Sequence, residues 1–207
     1  MSLVCSPGLL ASTLGLSETR DAEVMSRIVR YTELLDRWSK VQRLVGWKKA
    51  SLLATEGLAD AWALLQLIDR HPEHWLLDLG SGAGLPGLIL ALARPEREVH
   101  LVEPRRKRVS FLREVCRDLE LSSVSVHHAR ESEVRAEFEG RPGPLLFARA
   151  FLPPEELLAR AKEWSSSGCV LSVQAGRRTT DASWSLSETV EGRPKGMKEH
   201  QLWLPTN

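Results

Sequence analysis

Glycines at 80, 82 and 84, set between a short apolar run and a longer one, constrain this chain more than any other feature. Trp75 to Leu79 has the length and hydrophobicity of a buried parallel strand. Leu88 to Ala93 then reads as a helix, with Pro86 in its first turn, where a missing N–H costs nothing. Glycine reaches positive φ and lets a ligand approach bare backbone. The free N–H groups of the helix start are expected to face the turn and favour a polar or anionic ligand group.

What such a turn holds can be argued residue by residue. A phosphate loop needs Lys-Ser or Lys-Thr after its last glycine, whereas Leu88 and Ile89 follow Gly87 here. Gly82-Ala83-Gly84-Leu85-Pro86-Gly87 fits the spacing of the dinucleotide fingerprint. Asp78 argues against that ligand, because a carboxylate at the strand end repels a pyrophosphate and attracts an ammonium group. Asp78-x-Gly80-x-Gly82-x-Gly84 is the pattern of S-adenosylmethionine (SAM) methyltransferases, whose loop approaches the amino-acid end of the cofactor. Val99 to Glu103 reads as the next strand, and Glu103 ends it where nucleoside-binding folds hold ribose hydroxyls. Asp78 and Glu103 could instead be ordinary strand-end carboxylates, but strand, glycines, proline and second acid all agree on a site.

Strand and helix patterns keep alternating downstream, which predicts an α/β, doubly wound, mostly parallel seven-stranded sheet with helices on both faces. A helix is expected from Pro104 to about Leu119, then strands over Val124–His128 and Leu145–Arg149, a helix over Pro154–Trp164 and a strand over Cys169–Val173. Residues 174 to 182 read as a polar loop, and Trp184–Val190 with Gln201–Leu204 as a closing antiparallel pair. Upstream, residues 1 to about 20 read as a loose start with one short helix. Thr19–Lys40 carries Val24, Ile28, Tyr31, Leu34, Leu35 and Trp38 at helical spacing. Leu52–Ile68 reads as a second helix whose inner face is Leu52, Thr55, Leu58, Ala59, Trp62, Leu65 and Ile68. With 207 residues, the expected organisation is an N-terminal helical extension, 1–70, and a catalytic domain, 71–207.

Lys and Arg number 28 against 27 Asp and Glu, so net charge implies no strong non-specific nucleic-acid binding; any RNA contact must come from local patches. Arg106, Arg113 and Arg117 fall along one outer helical line, an ordinary solvated face or an RNA contact. Cys5, Cys116 and Cys169 are odd in number and far apart, which points to a reducing compartment. With no signal peptide and no membrane-length apolar run, a cytoplasmic location is expected, with no membrane partner. No metal is expected: His71 and His74 are neighbours, but no acidic or sulfur partner reads as spaced to join them. Trp47, in the basic loop Arg43–Lys49, is the tryptophan best placed to stack on an RNA base.

Taken whole, the chain resembles the ribosomal small-subunit RNA guanine-N7 methyltransferase family, also called glucose-inhibited division protein B. Asp78 to Gly87, with its Leu85-Pro86-Gly87 ending, carries the most specific part. Lys107-Arg108-Val109-x-Phe111-Leu112-Arg113, Arg130, Arg149-Ala150-Phe151 and Tyr31-x-x-Leu34-Leu35-x-x-Trp38 resemble further family motifs. The resemblance implies SAM as cofactor, bound by Asp78, Gly80, Ser81, Gly82, Gly84, Leu85, Glu103, Glu131, Ser132 and Arg149. It implies Arg149 as the catalytic residue, with ribosomal RNA or the small ribosomal subunit as partner. The chain also departs from the family. Trp-Asn is Trp38-Ser39, Asn-Leu-Thr is Arg43-Leu44-Val45, a histidine is Gly57, and Asp-Ser is Asp60-Ala61. Lys-Gly after the fifth strand is replaced by Gln174-Ala175-Gly176, and an arginine near the last strand by Glu199.

Guanine N7 has a lone pair and no proton to lose, so its methylation needs orientation rather than a general base. Leu152-Pro153-Pro154-Glu155 has the prolines of an amino-group methyltransferase but neither flanking residue. Three readings stand at this stage: a guanine-N7 methyltransferase, a SAM enzyme for another substrate, and a non-catalytic RNA- or protein-binding module.

Overall fold

The computed structural model describes residues 2–148, 156, 161, 163, 164, 170–175, 184–190 and 199–205, the last three stretches by their backbone. Its centre is a seven-stranded sheet in the order β3-β2-β1-β4-β5-β7-β6. The strands are β1 Leu76–Leu79, β2 Val99–Val102, β3 Val124–His127, β4 Leu145–Ala148, β5 Val170–Ala175, β6 Trp184–Val190 and β7 Glu199–Pro205. The first five run parallel, and β7 lies antiparallel between β5 and β6. The doubly wound sheet and its closing antiparallel pair match the sequence expectation. Gln174 and Ala175, expected to open a polar loop, instead belong to β5 and pair with His200 and Glu199; the rest of that expected loop, 176–182, lies outside the described residues.

Alternation along the strands divides the core in two. Leu76, Val99, Leu101, Leu145 and Phe147 face a large cluster built with the N-terminal helices. Leu77, Leu79, Val102, Leu146 and Ala148 face a smaller one with Trp75, Val134, Phe138, Ala161 and Trp164. The helices are α1 Pro7–Leu14, α2 Ala22–Ser39, α3 Ala50–Leu52, α4 Ala59–Ala63, α5 Leu65–Arg70, α6 Gly87–Ala93, α7 Arg106–Asp118 and α8 Glu131–Val134. Of the expected helix 154–164, only Glu156, Ala161, Glu163 and Trp164 are described, all helical. No described helix is long and apolar enough to cross a membrane.

Two expectations about the N-terminal layer are corrected. The start is not loose: Leu3, Cys5, Leu10 and Leu14 are buried. The Leu3 amide donates to Asp36 Oδ1 at 2.7 Å and the Cys5 amide to Thr32 Oγ1 at 3.0 Å, so two polar side chains of α2 hold this segment. The second helix is broken. A π-helical stretch, Leu53–Leu58, separates α3 from α4, and Leu64 separates α4 from α5. A π turn widens the helix and rotates everything beyond it. Leu53, Ala54 and Leu58 are therefore buried, while Leu52, expected on the inner face, is 41 % exposed.

Candidate active site

The turn after β1 sits at the carboxyl ends of the parallel strands, where open α/β sheets bind ligands. Leu79, Val102 and His127 lie side by side there. The Gly80 and Ser81 amides donate to the Val102 carbonyl at 2.9 and 3.1 Å, and the Glu103 amide to the His127 carbonyl at 3.1 Å. Ser81 Oγ donates to the Asp78 carbonyl at 2.8 Å, and the Gly84 amide closes the turn on the Ser81 carbonyl at 2.6 Å.

The glycines serve different ends. Gly80, Gly82 and Gly84 all have positive φ, at 70°, 58° and 85°. A Cβ on Gly84 would overlap the Leu88 side chain, so packing excludes one. A Cβ on Gly87 would overlap Leu101 and lie 2.7 Å from Asp78 Oδ2. At Gly82 the same atom would meet nothing closer than 3.7 Å. A Cβ at Gly82 would thus make only ordinary contact with the Arg108 guanidinium and the Gly80 carbonyl, so packing does not exclude one there; the positive φ favours glycine and leaves the backbone bare beside Glu103.

Asp78 lies beneath this turn and is buried. Its Oδ2 accepts the Gly87 amide at 3.0 Å, while the Leu88 amide returns to the Gly84 carbonyl at 2.8 Å. The first amides of α6 are thus taken inside the protein rather than turned to a ligand, and Asp78 acts as the cap of that helix. Leu85 is buried in the core beside them.

Glu103 is also buried, at 2 % exposure. Its Oε2 accepts the Gly82 amide at 3.0 Å and its Oε1 the Arg105 amide at 2.9 Å. Two backbone donors hold the carboxylate against the edge of the turn. Arg108 adds a guanidinium, Nη1 lying 3.5 Å from Glu103 Oε2. Tyr31 of α2 reaches the turn from the other side, donating its hydroxyl to the Ala83 carbonyl at 2.8 Å. Sequence periodicity marks Tyr31 only as core and Arg108 only as part of a basic run. The signal that singles both out is their place in the motifs that carry the family resemblance, Lys107 to Arg113 and Tyr31 to Trp38.

Glu131 is buried in the first turn of α8, with Trp164 Nε1 at 3.4 Å from its Oε1. Ser132 is exposed and borders a cavity of about 250 Å³ that includes no residue of the glycine turn. Arg149 lies outside the described residues. The pairing of β5 with β7 sets Gln174 and Glu199 on adjacent rungs at the same end of the sheet as the turn.

A sequence model described as rRNA small subunit methyltransferase G, GidB, matches residues 24–189. The chain belongs to this family. It is a methyltransferase by that membership. A protein of that name from Hyphomonas neptunium is 38 % identical over 160 residues, 75 % of this chain and 72 % of its own length. One from Acidothermus cellulolyticus is 37 % identical over 151 residues, 73 % of this chain and 65 % of its own length. A methyltransferase from Geobacter sulfurreducens shares the fold, with a TM-score of 0.57 at 16 % identity, over 98 % of this chain and all of that one.

The structure gives the glycine at 57 a packing reason. Trp47 lies over it: a Cβ there would be 3.0 Å from the indole. Trp47 Nε1 also donates to Glu56 Oε2 at 2.8 Å. Trp47, the tryptophan expected to be best placed for stacking on a base, is half-buried and packs against the π-helical stretch.

Proposed function

We propose that this chain transfers a methyl group from SAM to N7 of a guanine in small-subunit ribosomal RNA, in the cytoplasm. The observation that carries the reading is the pairing of bare backbone at Gly82 with the buried Glu103 carboxylate. The cofactor fits that pairing: a carboxylate pinned by two amides is poised to accept from ribose hydroxyls, and bare backbone at Gly82 lets a ligand approach the turn closely. Bound there, SAM supplies an electrophilic methyl group on sulfonium.

The chain's own residues do the rest. Gly80, Ser81, Gly82 and Gly84 shape the turn; Asp78 and Leu85 fix the start of α6 beneath it; Glu131 and Ser132 border the adenine end. Arg149 orients the reacting groups. Such positioning is the main protein contribution where no proton is removed from the acceptor. Residues 1–70 form a helical extension that steadies the turn through Tyr31.

RNA approaches over a basic rim. Arg43, Lys48 and Lys49 are exposed before α3, and Arg105, Arg106 and Lys107 at the start of α7. Gln42 Nε2 donates to the Lys107 carbonyl at 3.1 Å, which joins the two groups. These cations neutralise phosphates and make binding salt-dependent. The places of Gln174 and Glu199 favour a second reading, a relative that methylates a different acceptor, because they remove positive charge at the ligand end of the sheet. Transfer of labelled methyl from SAM separates the two: small-subunit RNA or particles become labelled in the first case, and neither does in the second.

A further inference from the structure

We propose that His71, Glu73 and His74 form a divalent-cation site, suited to zinc(II), at the end of the sheet opposite the glycine turn. The expectation that no acidic residue joins the two histidines is corrected by the fold of the loop between α5 and β1. Glu73 Oε1 lies 3.5 Å from His71 Nδ1 and 3.3 Å from His74 Nε2. One donor atom from each of the three side chains falls within 4.8 Å of the others. Around an ion with bonds of about 2.0–2.1 Å, tetrahedral ligand atoms are about 3.3–3.4 Å apart, so both contacts to Glu73 already have the spacing of a shared ion. Two imidazoles and one carboxylate with an open fourth position are a common zinc(II) donor set.

The tautomer of His74 supplies the second observation. Its Nδ1 lies 2.7 Å from the Gly143 carbonyl, an acceptor, so Nδ1 carries the hydrogen. In the neutral ring the Nε2 lone pair then points at the Glu73 carboxylate, acceptor against acceptor. A proton on Nε2 would relieve that one contact; a divalent cation would take the lone pairs of both rings and of Glu73 together. A histidine whose other nitrogen donates to a backbone carbonyl is the usual oriented metal ligand.

The loop is also held in shape before any ion arrives. Arg97 donates to the carbonyls of Ile68, at 2.8 Å, and of His71 and His74. Trp75 Nε1 donates to the Pro142 carbonyl at 2.7 Å, beside the Gly143 contact. The positive charge of Arg97 tempers the attraction for a cation, which sets the expected affinity in the micromolar range. The site lies in the loop before β1, which the His74–Gly143 contact ties to the loop before β4, remote from the glycine turn.

The test uses the full chain. Cobalt(II), added as a spectroscopic probe, should give the visible bands of a tetrahedral site at one ion per chain. Zinc(II) should compete for it and raise the Tm by several degrees. His71→Ala, His74→Ala and Glu73→Gln should each weaken binding by more than about tenfold, with SAM affinity unchanged. Glu73 is exposed, so Glu73→Gln keeps the fold intact and reads the ligand role directly. Binding that survives all three substitutions, or no one-to-one binding below about 100 µM, overturns the proposal and leaves the cluster as a polar contact within the loop.

Discussion

Gly82→Ala and Gly87→Ala should fail in opposite ways, although both remove a glycine from one short motif. At Gly87 the new methyl overlaps Leu101 and presses on Asp78 Oδ2 at 2.7 Å. Overpacking of this kind costs about 1–3 kcal/mol. Displacing Asp78 also weakens the 3.0 Å bond from the Gly87 amide, and a hydrogen bond to a charged group is worth about 1.5–3 kcal/mol. The sum is about 2.5–6 kcal/mol, or about 5–24 °C in Tm for a chain of this size. At Gly82 the methyl meets nothing closer than 3.7 Å, and only its φ of 58° is unfavourable, at about 1–2 kcal/mol. Gly82→Ala should therefore stay folded, yet its methyl covers the bare backbone beside Glu103 and should raise the SAM Kd by at least about tenfold. Thermal unfolding and SAM calorimetry on both variants give the four values needed. A Gly87→Ala protein as stable as Gly82→Ala, or a Gly82→Ala protein with unchanged SAM affinity, would refute the division of labour among these glycines.

Tyr31→Phe keeps the buried ring but strips the donor from the Ala83 carbonyl, so calorimetry should show SAM binding weakened by about 1 kcal/mol, roughly fivefold. Gly57→His sets a side chain under an unchanged Trp47, and the crowding at 3.0 Å should cost about 1–3 kcal/mol in urea unfolding; removing the indole by Trp47→Ala should recover part of it in a double-mutant cycle. Burial holds the His100 imidazole below its ordinary value of 6.5, against the opposing pull of Glu98 and with His127 and Arg141 disfavouring the charge. As pH falls below 6.5, the unfolded chain binds this proton before the folded one does, so stability should be lost on acidification, and His100→Gln should flatten that slope in unfolding curves taken from pH 7.5 to 5.

The sheet was legible because its parallel strands are apolar runs too short for helices and punctuated by glycine and proline. Glu103 was legible for a related reason: an acid that ends the second strand of such a unit must emerge beside the turn. Tertiary contacts were not legible. Trp47 stands in a basic, polar loop, so its seat on Gly57 depends on a π turn that local pattern does not announce. The same turn breaks the 3.6-residue spacing that the apolar pattern assumes, and Leu52 ends up outside. Leu3 and Cys5 precede any periodic segment, and their burial follows from Asp36 and Thr32, more than twenty residues away. The Asp78 carboxylate was placed correctly at the strand end, but which donor it meets depends on how the chain returns at Gly87.

Chemical mapping of the methylated base tests the central claim most directly. Small-subunit RNA is incubated with the protein and SAM, reduced with borohydride and treated with aniline, which breaks the strand at N7-methylated guanosine. The account predicts one new break in the presence of SAM, absent without SAM and reduced by Gly82→Ala. Labelled methyl incorporated with no such break, or no incorporation by a protein that binds SAM, would contradict it.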